Sequence, residues 1–542
     1  MNKMKQRVGV FLVIMSMAAS MTAASDSAAA KLPKLSKNRV SVQAGKTVQL
    51  KLKNVSPKAK VSWTSKSKKI AKITQSTKKT AKIRGIKAGK TTITAKYKLG
   101  KIKKTLSCKI TVKKKAAKPA VTSPAPVESP TAAATAPAST SSAAPPASSE
   151  PDGSPAPISY KWVTTWGTAE EKCDTTKDAM PKMPLTDTTV RQIIRVTTGG
   201  QKLRLRLSNQ YGESDVEIQS LHLAKQVQAD ASTIDVSTDA VVKVNGSEQF
   251  TIPKGKVIVT DEVDFSVNAL DNVAISAYFG AAPTQNITGH RGARATTYQA
   301  AGNQVSAEAF SSVKKTTSWF FLADASIWSP DKSKAVVCFG DSITDGYGTD
   351  ATYLGKKPDS YTRWIDYFAK RLQANESTTH ISLINEGIGA NSILGSYPTD
   401  AGKDRFKRDL LEHDGVAYCI ILFGVNDLNS LRDTSKYDQL LPEYQKMIQL
   451  CHENGIKVYG APILPFGTSN YYSEASEEVR TKINNWMRST DSKLDGIIDF
   501  ESAVADPQNP KNILEEYTHG DGLHPYDGYE AMANAIDLNM FE

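Results

Sequence analysis

The 542-residue sequence is short of the residue types that build disulfide frameworks and metal sites. Its five cysteines are odd in number and widely scattered, which excludes a disulfide-rich fold and a metal knuckle. We therefore expect them to be small, buried hydrophobic residues. The seven histidines show no His-x-x-x-His spacing, which disfavours a metal-dependent hydrolase. We expect neither a metal ion nor a cofactor.

Long apolar runs are also missing, and no segment after the N-terminus is apolar enough to predict a membrane span. Residues 1–30 combine a basic start at Lys3, Lys5 and Arg7 with a short apolar stretch from Val8 to Ala19. Small residues suited to cleavage follow, which is typical of a secretory signal peptide. An uncleaved anchor is the alternative. The sequence predicts an extracellular protein that is either secreted or associated with the cell surface.

Acidic residues are absent from residues 31–115, a segment that contains 28 lysines and arginines. The net charge of +14 comes from this segment, because the region from residue 158 onward is acidic. Residues 116–157 are mostly Pro, Ala, Ser and Thr, which predicts an extended, semi-stiff linker. The chain is therefore predicted to be a basic module tethered to an acidic one.

The basic module at 31–115 alternates apolar and polar residues over short segments, which is typical of an all-β sandwich. Its segments Val61–Ser65, Ile70–Ile73 and Ile86–Ala95 resemble the bacterial immunoglobulin-like domain of the Big-2 type. The resemblance implies surface display or adhesion. The uncompensated lysines indicate an anionic partner such as a cell-wall polymer or acidic polysaccharide. Nucleic acid is disfavoured because no aromatic stacking platform is interleaved with the lysines.

Residues 158–329 and 330–542 are predicted to differ in architecture. Alternating segments at Thr189–Val196, Leu203–Ser208 and Val273–Tyr278 predict a β-sandwich or jelly roll in the first region. In the second, predicted strands at 335–339, 381–384, 418–423, 457–459 and 497–500 alternate with predicted helices at 361–372, 443–454 and 477–490. This alternation predicts an α/β fold with a parallel sheet flanked by helices. Chemistry is then expected beyond the carboxyl ends of the strands.

Three segments at predicted strand ends and one near the C-terminus carry groups suited to acyl transfer: Gly340–Gly346, Asn385–Asn391, Gly424–Asp427 and Asp521–Pro525. A serine needs a base to become nucleophilic, and the base needs an orienting partner. His524 is the predicted base for Ser342, and Asp521 is predicted to hold the far side of the imidazole. The predicted oxyanion donors are the Ser342 backbone N–H, an N–H of the second segment and the Asn426 amide.

These segments resemble blocks I, II, III and V of the SGNH, or GDSL-type, hydrolases, and the likeness runs from about residue 335 to the C-terminus. The resemblance implies a flavodoxin-like sheet and metal-free ester hydrolysis. It also implies that Ser342 is the nucleophile and Asn426 an oxyanion donor, with Asp521 and His524 completing the triad.

Block II departs from the family pattern at Ala390, where a glycine usually donates its N–H to the oxyanion. Gly389 stands one place earlier, and both residues are candidate donors. Alanine keeps a backbone N–H there, provided that its φ is negative.

The β-rich segment also resembles a known group, through Trp162–Trp166, Thr189–Gln192, Leu207–Asn209 and Gly292–Arg294. It is similar to the N-terminal part of secreted SGNH esterases, some of which act on acetylated plant polysaccharides. His290 and Arg294 are candidate substrate-binding residues, with solvated loop residues as the alternative.

The sequence therefore predicts a secreted serine esterase that hydrolyses short acyl esters, acetyl in particular, on a polysaccharide. A GDSL-type lipase or lysophospholipase is the enzymatic alternative, disfavoured by the lack of an apolar lid helix in the sequence. A non-catalytic cell-surface adhesin is the alternative of a different class.

Overall fold

The computed structural model describes residues 33–36, 39–56, 59–99, 102–113, 159–173, 184–283 and 285–542. The predicted signal peptide at 1–30 and the predicted linker at 116–157 lie outside these residues. The chain divides into two compact units, Met1–Ser148 and Ser149–Glu542. Among the described residues, none of the helices has the length and apolar character needed to cross a bilayer. All five cysteines lie in the described part and are buried as thiols.

The first unit is a sandwich of two four-stranded sheets, with strand orders β1-β3-β6-β5 and β2-β8-β7-β4. Its strands are β1 (Lys34–Leu35), β2 (Arg39–Gln43), β3 (Thr47–Lys53), β4 (Lys60–Ser65), β5 (Ala71–Ser76), β6 (Thr80–Gly85), β7 (Gly89–Leu99) and β8 (Ile102–Lys113). Alternation along the strands places Leu50, Ile83 and Ile110 in one shared core. The all-β prediction for the basic module is confirmed.

The second unit begins with an all-antiparallel sandwich. Its strands are β9 (Tyr160–Gly167), β10 (Glu171–Cys173), β11 (Thr188–Arg195), β12 (Gly200–Ser208), β13 (Val216–Gln226), β14 (Ile234–Val241), β15 (Phe250–Ile252), β16 (Val257–Val259), β17 (Val263–Val267), β18 (Asn272–Phe279), β19 (Ile287–His290), β20 (Thr297–Ala301), β21 (Lys314–Thr316), β22 (Trp319–Phe320) and β23 (Leu322–Pro330). The orders β14-β13-β18-β11-β20-β21 and β16-β12-β23-β9 define its two larger sheets. Val190 and Leu205 belong to the core that they share.

The same unit continues as an α/β fold. Its strands are β24 (Lys334–Gly340), β25 (Ile381–Gly387), β26 (Val416–Leu422), β27 (Lys457–Gly460), β28 (Gly496–Ile497), β29 (Ala505–Asp506) and β30 (Asn509–Ile513). Its helices are α1 (Ser342–Asp345), α2 (Trp364–Ala374), α3 (Gly402–Leu411), α4 (Lys436–Glu453), α5 (Glu474–Arg488), α6 (Phe500–Val504), α7 (Glu515–Thr518) and α8 (Tyr529–Ala535). The parallel sheet has the order β25-β24-β26-β27-β28. This flavodoxin-like order puts the topological switch point at β24, between β25 and β26.

Several predicted element bounds differ from the structure, and two of the differences have a clear physical reason. The fourth helix begins at Lys436 rather than at 443, because Pro442 is accommodated inside it instead of ending it. The strand predicted at 497–500 is only Gly496–Ile497. There the Asp499 carboxylate accepts the Ser502 N–H, which caps α6 and turns the chain into a helix.

A buried charge cluster joins the sandwich to the parallel sheet. Nδ1 of His413 lies 2.9 Å from the Asp324 carboxylate of β23, and its Nε2 lies 3.0 Å from Glu386 of β25. Arg206 of β12 also binds Asp324, at 2.7 Å. Burial alone lowers the pKa of His413, but its hydrogen bonds to Asp324 and Glu386 outweigh burial and raise the pKa to about 9. An imidazolium therefore bridges the two sheets.

We expect this bridge to make the stability of the second unit depend on pH. An unfolded histidine titrates near a pKa of about 6.5, so the stabilisation is complete below that pH. It is lost as the pH rises through about 9 and is worth about 3 kcal/mol. Denaturant unfolding should show a large stability gap between wild type and His413→Gln at about pH 6 and a small gap at about pH 10. A gap that does not change with pH would contradict the assignment.

Candidate active site

Ser342 is the first residue of α1 and follows the end of β24 by two positions. The Asp341 carboxylate caps this short helix by accepting the Ile343 N–H at 3.0 Å. The turn before it is tight, since a Cβ on Gly340 would lie 2.4 Å from the Leu422 carbonyl oxygen. Glycine is therefore required at that position, and Ser342 is fixed at the carboxyl end of the sheet.

The structure brings together the three residues predicted to form the triad. The Ser342 hydroxyl lies 2.9 Å from Nε2 of His524. Nδ1 of the same imidazole lies 2.8 Å from Oδ2 of Asp521. The three side chains form a continuous hydrogen-bonded chain in the order that nucleophilic catalysis requires.

Asp521 is held as an anion by four donors. Its Oδ1 accepts the backbone N–H groups of Leu523 and His524, each at 2.9 Å. Its Oδ2 accepts the Tyr526 hydroxyl at 2.5 Å as well as the imidazole. Burial alone raises the pKa of Asp521, but these hydrogen bonds outweigh it and lower the pKa below the usual range. Sequence reasoning missed Tyr526, although it stands only two residues after the predicted base.

Asn426 lies on a 3-10 helix, Val425–Leu428, that follows β26 at the other side of the switch point. Its Oδ1 accepts the Tyr471 hydroxyl at 3.2 Å, which fixes the amide orientation. Its Nδ2 donates one hydrogen to the Asn391 carbonyl at 2.7 Å. An amide nitrogen carries two hydrogens, and within the described residues the second has no acceptor. That donor is available to an oxyanion.

The block II loop holds the candidate backbone donors. Across the described residues, the N–H groups of Ser342, Gly389 and Ala390 have no acceptor within the protein. Ala390 has a φ of 62°, so the condition of a negative φ is not met. The Asn391 N–H bonds back to the Ile388 carbonyl at 3.2 Å, and this tight turn places Ala390 at a position that favours glycine. That Gly389 or Ala390 donates its backbone N–H to the oxyanion stays a prediction.

Arg405 of α3 ties the strand ends together and was not predicted from sequence. Its fully buried guanidinium donates to the carbonyls of Gly340 and Glu386, each at 3.0 Å. It also donates to the Asn391 side chain at 2.9 Å and to Asp409 at 2.6 Å. Arg405 thus fixes the ends of β24 and β25 and the block II loop. It is a positioning residue without contact to Ser342, and no local pattern distinguishes it from a surface arginine.

His290 and Arg294, the candidate substrate-binding residues, lie against Asp345 at the end of α1. Nε2 of His290 is 3.1 Å from that carboxylate and its Nδ1 is 2.9 Å from the Ala169 carbonyl, so both ring nitrogens are occupied. Arg294 donates to the same carboxylate at 2.5 Å. Burial alone raises the pKa of Asp345, but Arg294 and His290 outweigh it and lower the pKa to about 2. The cluster supports α1, and a substrate contact by either residue stays a prediction.

Truncation of Asn426 is expected to impair turnover more than binding. Asn426→Ala removes one oxyanion donor, which costs roughly 10² to 10³-fold in kcat. Asn429→Ala, an exposed asparagine in the same loop, is the matched control and should retain wild-type turnover. Hydrolysis of p-nitrophenyl acetate by both variants is the measurement. A rise in KM with unchanged kcat for Asn426→Ala would contradict the donor role.

Comparison with known proteins agrees with the resemblances of the hydrolase segments and of the basic module, and the resemblance of the β-rich segment stays a prediction. Residues 338–530 match the GDSL-like lipase/acylhydrolase family, and residues 31–108 match the bacterial Ig-like domain (group 2). No curated protein matches the chain.

Several solved structures are similar to a part of this chain. A carbohydrate acetylesterase from Sinorhizobium meliloti is 20% identical, over 38% of this chain and 96% of that one, with a TM-score of 0.29. An acetylxylan esterase from Geobacillus stearothermophilus is 16% identical, over 37% and 91%, with a TM-score of 0.29. A GDSL-like lipase from Bacteroides thetaiotaomicron is 21% identical, over 37% and 85%, with a TM-score of 0.27.

Proposed function

Because residues 338–530 form a GDSL-like acylhydrolase domain, this chain is an ester hydrolase, and we propose that it works through Ser342, His524 and Asp521. The observation that carries the proposal is the continuous hydrogen-bonded chain of 2.9 and 2.8 Å from the serine hydroxyl to the carboxylate. A non-catalytic adhesin is set aside by the family match.

In the proposed mechanism, Ser342 Oγ bonds to the ester carbonyl carbon while Nε2 of His524 takes the hydroxyl proton. The carbonyl oxygen becomes an oxyanion that accepts from the Ser342 N–H, a block II N–H and the free Asn426 hydrogen. The carbon–oxygen bond to the alcohol then breaks, and His524 returns its proton to the departing oxygen. Water then attacks the acyl carbon while His524 takes one of its protons. The bond from that carbon to Ser342 Oγ breaks, His524 returns the proton to Ser342, and the acid is released. Asp521 remains ionised and stabilises the imidazolium throughout.

Covalent trapping tests the nucleophile directly. A fluorophosphonate reacts with an activated serine, and its phosphoryl group should appear by peptide mass spectrometry on Ser342 alone. Ser377, an exposed serine on the same domain, should stay unmodified. A His524→Ala variant should lose the labelling, because the serine then has no base. Labelling that persists in this variant, or that falls on another serine, would refute the proposed mechanism.

For the substrate, we propose a short acyl group, acetyl in particular, carried by a polysaccharide. A signal-type N-terminus, a surface-type module and a long linker suit an enzyme that acts on an insoluble polymer. The competing substrate class is a lipid ester. Rates on p-nitrophenyl acetate and p-nitrophenyl decanoate separate the two, and a preference for decanoate would favour the lipase alternative.

We also propose that the protein is exported and that its basic module binds an anionic cell-wall polymer. Lys60 of β4, Lys98 of β7 and Lys103 of β8 are cross-strand neighbours in one sheet, and all are exposed. Like charges directly opposite on a sheet are destabilising, and a polyanion bound across this row removes their repulsion.

Salt dependence tests the binding proposal. Retention of the full-length protein on purified cell walls should fall steeply as NaCl is raised, because exposed charges are screened. Replacing Lys60, Lys98 and Lys103 by Gln should lower retention at low salt. Replacing three lysines outside this row, Lys53, Lys72 and Lys82, is the charge-matched control. Retention that is indifferent to salt would exclude the electrostatic explanation.

A further inference from the structure

The exposed aromatic side chains of the described residues are all on active-site loops. They are Tyr347, Tyr353 and Tyr397, which are 40%, 74% and 71% exposed. The other large exposed hydrophobic residues of the described chain are valines and an isoleucine elsewhere. An aromatic ring exposed to water lacks the stabilisation that burial would provide. Several exposed rings close to one site therefore indicate a ligand.

Two of the tyrosines stand beside the triad. The Tyr347 N–H donates to the Ser342 carbonyl at 2.8 Å, and its ring centroid lies 4.6 Å from that of His524. Tyr353 sits on a 3-10 helix, Thr352–Leu354, a few residues further along the same loop. The Tyr353 hydroxyl interacts with that of Tyr526, which in turn donates to Asp521 of the triad.

The third tyrosine belongs to the loop after β25. Its carbonyl accepts from the Asn391 side chain at 3.3 Å. The carbonyl of the same Asn391 accepts the Asn426 amide at 2.7 Å. Asn391 therefore links Tyr397 to Asn426, the proposed oxyanion donor, through two hydrogen bonds.

An open polar cavity of about 460 Å³ adjoins the Tyr353 loop. Gly355, directly after the 3-10 helix, lines it together with Ser360, Thr362 and Glu530. Tyr526, which donates to Asp521, also contributes to its wall. Its volume falls within the range of small-molecule sites, and its hydroxyl and charged groups suit a hydroxyl-rich ligand.

We propose that these three tyrosines and the polar cavity bind the sugar units of a polysaccharide that carries the scissile acyl group. A sugar ring presents a flat C–H face that stacks on an aromatic ring and a rim of hydroxyls that hydrogen-bond. Tyrosine offers both an apolar face and a polar tip. A long acyl chain would instead require a mainly apolar lining, whereas polar groups predominate in this cavity. The inference rests on the proposed esterase function and identifies the residues that bind the sugar part of its proposed substrate.

The test compares a polymeric with a small ester. Acetylated fragments of xylan, pectin and peptidoglycan are screened with the wild-type protein, and the one hydrolysed fastest is kept. The measured quantity is the ratio of kcat/KM on that fragment to kcat/KM on p-nitrophenyl acetate. In a Tyr353→Ala/Tyr397→Ala double variant, this ratio should fall by roughly tenfold or more. The double Phe variant, which keeps both rings, should retain most of the ratio. Val236→Ala, an exposed residue on β14, is the matched control.

The outcomes separate the two proposals. If the wild type does not hydrolyse p-nitrophenyl acetate, the proposed esterase function fails. If it does, but the double Ala variant keeps the wild-type ratio or loses both activities equally, the sugar-binding surface alone is overturned. A loss confined to p-nitrophenyl decanoate, or no acetylated fragment being hydrolysed, also overturns it.

Discussion

Ser342→Ala should lose hydrolysis of p-nitrophenyl acetate by about 10⁵-fold or more. The substitution removes the only atom of the triad that bonds to the substrate, while His524 and Asp521 remain in place. The residual rate should come from the oxyanion donors and binding alone, at roughly 10³ to 10⁴-fold over water. Steady-state kinetics with active-site titration of the wild type is the measurement.

The fold should survive this substitution. Ser342 is buried to 6% exposure and its side chain contacts His524, so losing one hydroxyl costs about 1 kcal/mol at most. Melting temperatures of Ser342→Ala and wild type that lie within about 4 °C of each other would show that the loss is chemical. Ser377→Ala, at an exposed position, should keep full activity. Substantial hydrolysis by Ser342→Ala would refute the nucleophile.

Asp521→Asn should lower kcat by roughly 10⁴-fold. If the amide oxygen keeps the backbone donors of Leu523 and His524, its NH₂ must face Nδ1 of the imidazole. A donor there demands the tautomer with its proton on Nε2, and that nitrogen then cannot accept the Ser342 proton. The negative charge that stabilises the imidazolium is lost as well.

Tyr526→Phe is the matched comparison for this prediction. It removes one of the four hydrogen bonds to the carboxylate and leaves the charge and the His524 contact intact. A single hydrogen bond of this kind is worth about 1 kcal/mol, so the expected loss is roughly tenfold or less. Losses of similar size in Asp521→Asn and Tyr526→Phe would argue against the role assigned to Asp521.

The sequence predicted the fold class and the assembled site because both depend on local signals. Apolar runs mark buried strands, and the residues after them must share the carboxyl edge of a parallel sheet. Ser342 and Asn426 could therefore be placed near each other before any coordinates. Asp521 and His524 lie three residues apart, so one turn determines their contact.

Other features depend on contacts between distant segments and left no such signal. Arg405 donates to the carbonyls of Gly340 and Glu386, which lie 65 and 19 positions away along the chain. No pattern in the neighbouring sequence predicts its burial. His290 and Arg294 looked like cleft residues because their partner, Asp345, is on another part of the fold. The positive φ of Ala390 follows from a backbone hydrogen bond across the turn, which residue type alone does not reveal.

The His413 bridge bears on how such a chain can be rearranged during evolution. Recombination near residue 330 would separate Asp324 from His413 and leave Glu386 facing an imidazole deprived of one of its carboxylates. Ser382 of β25 would likewise lose the Thr164 carbonyl of β9, which its hydroxyl reaches at 2.6 Å. Such a separation would therefore leave buried polar groups of both folds without their partners, which is destabilising. The basic module is a compact unit of its own, and none of the residues in these contacts belongs to it.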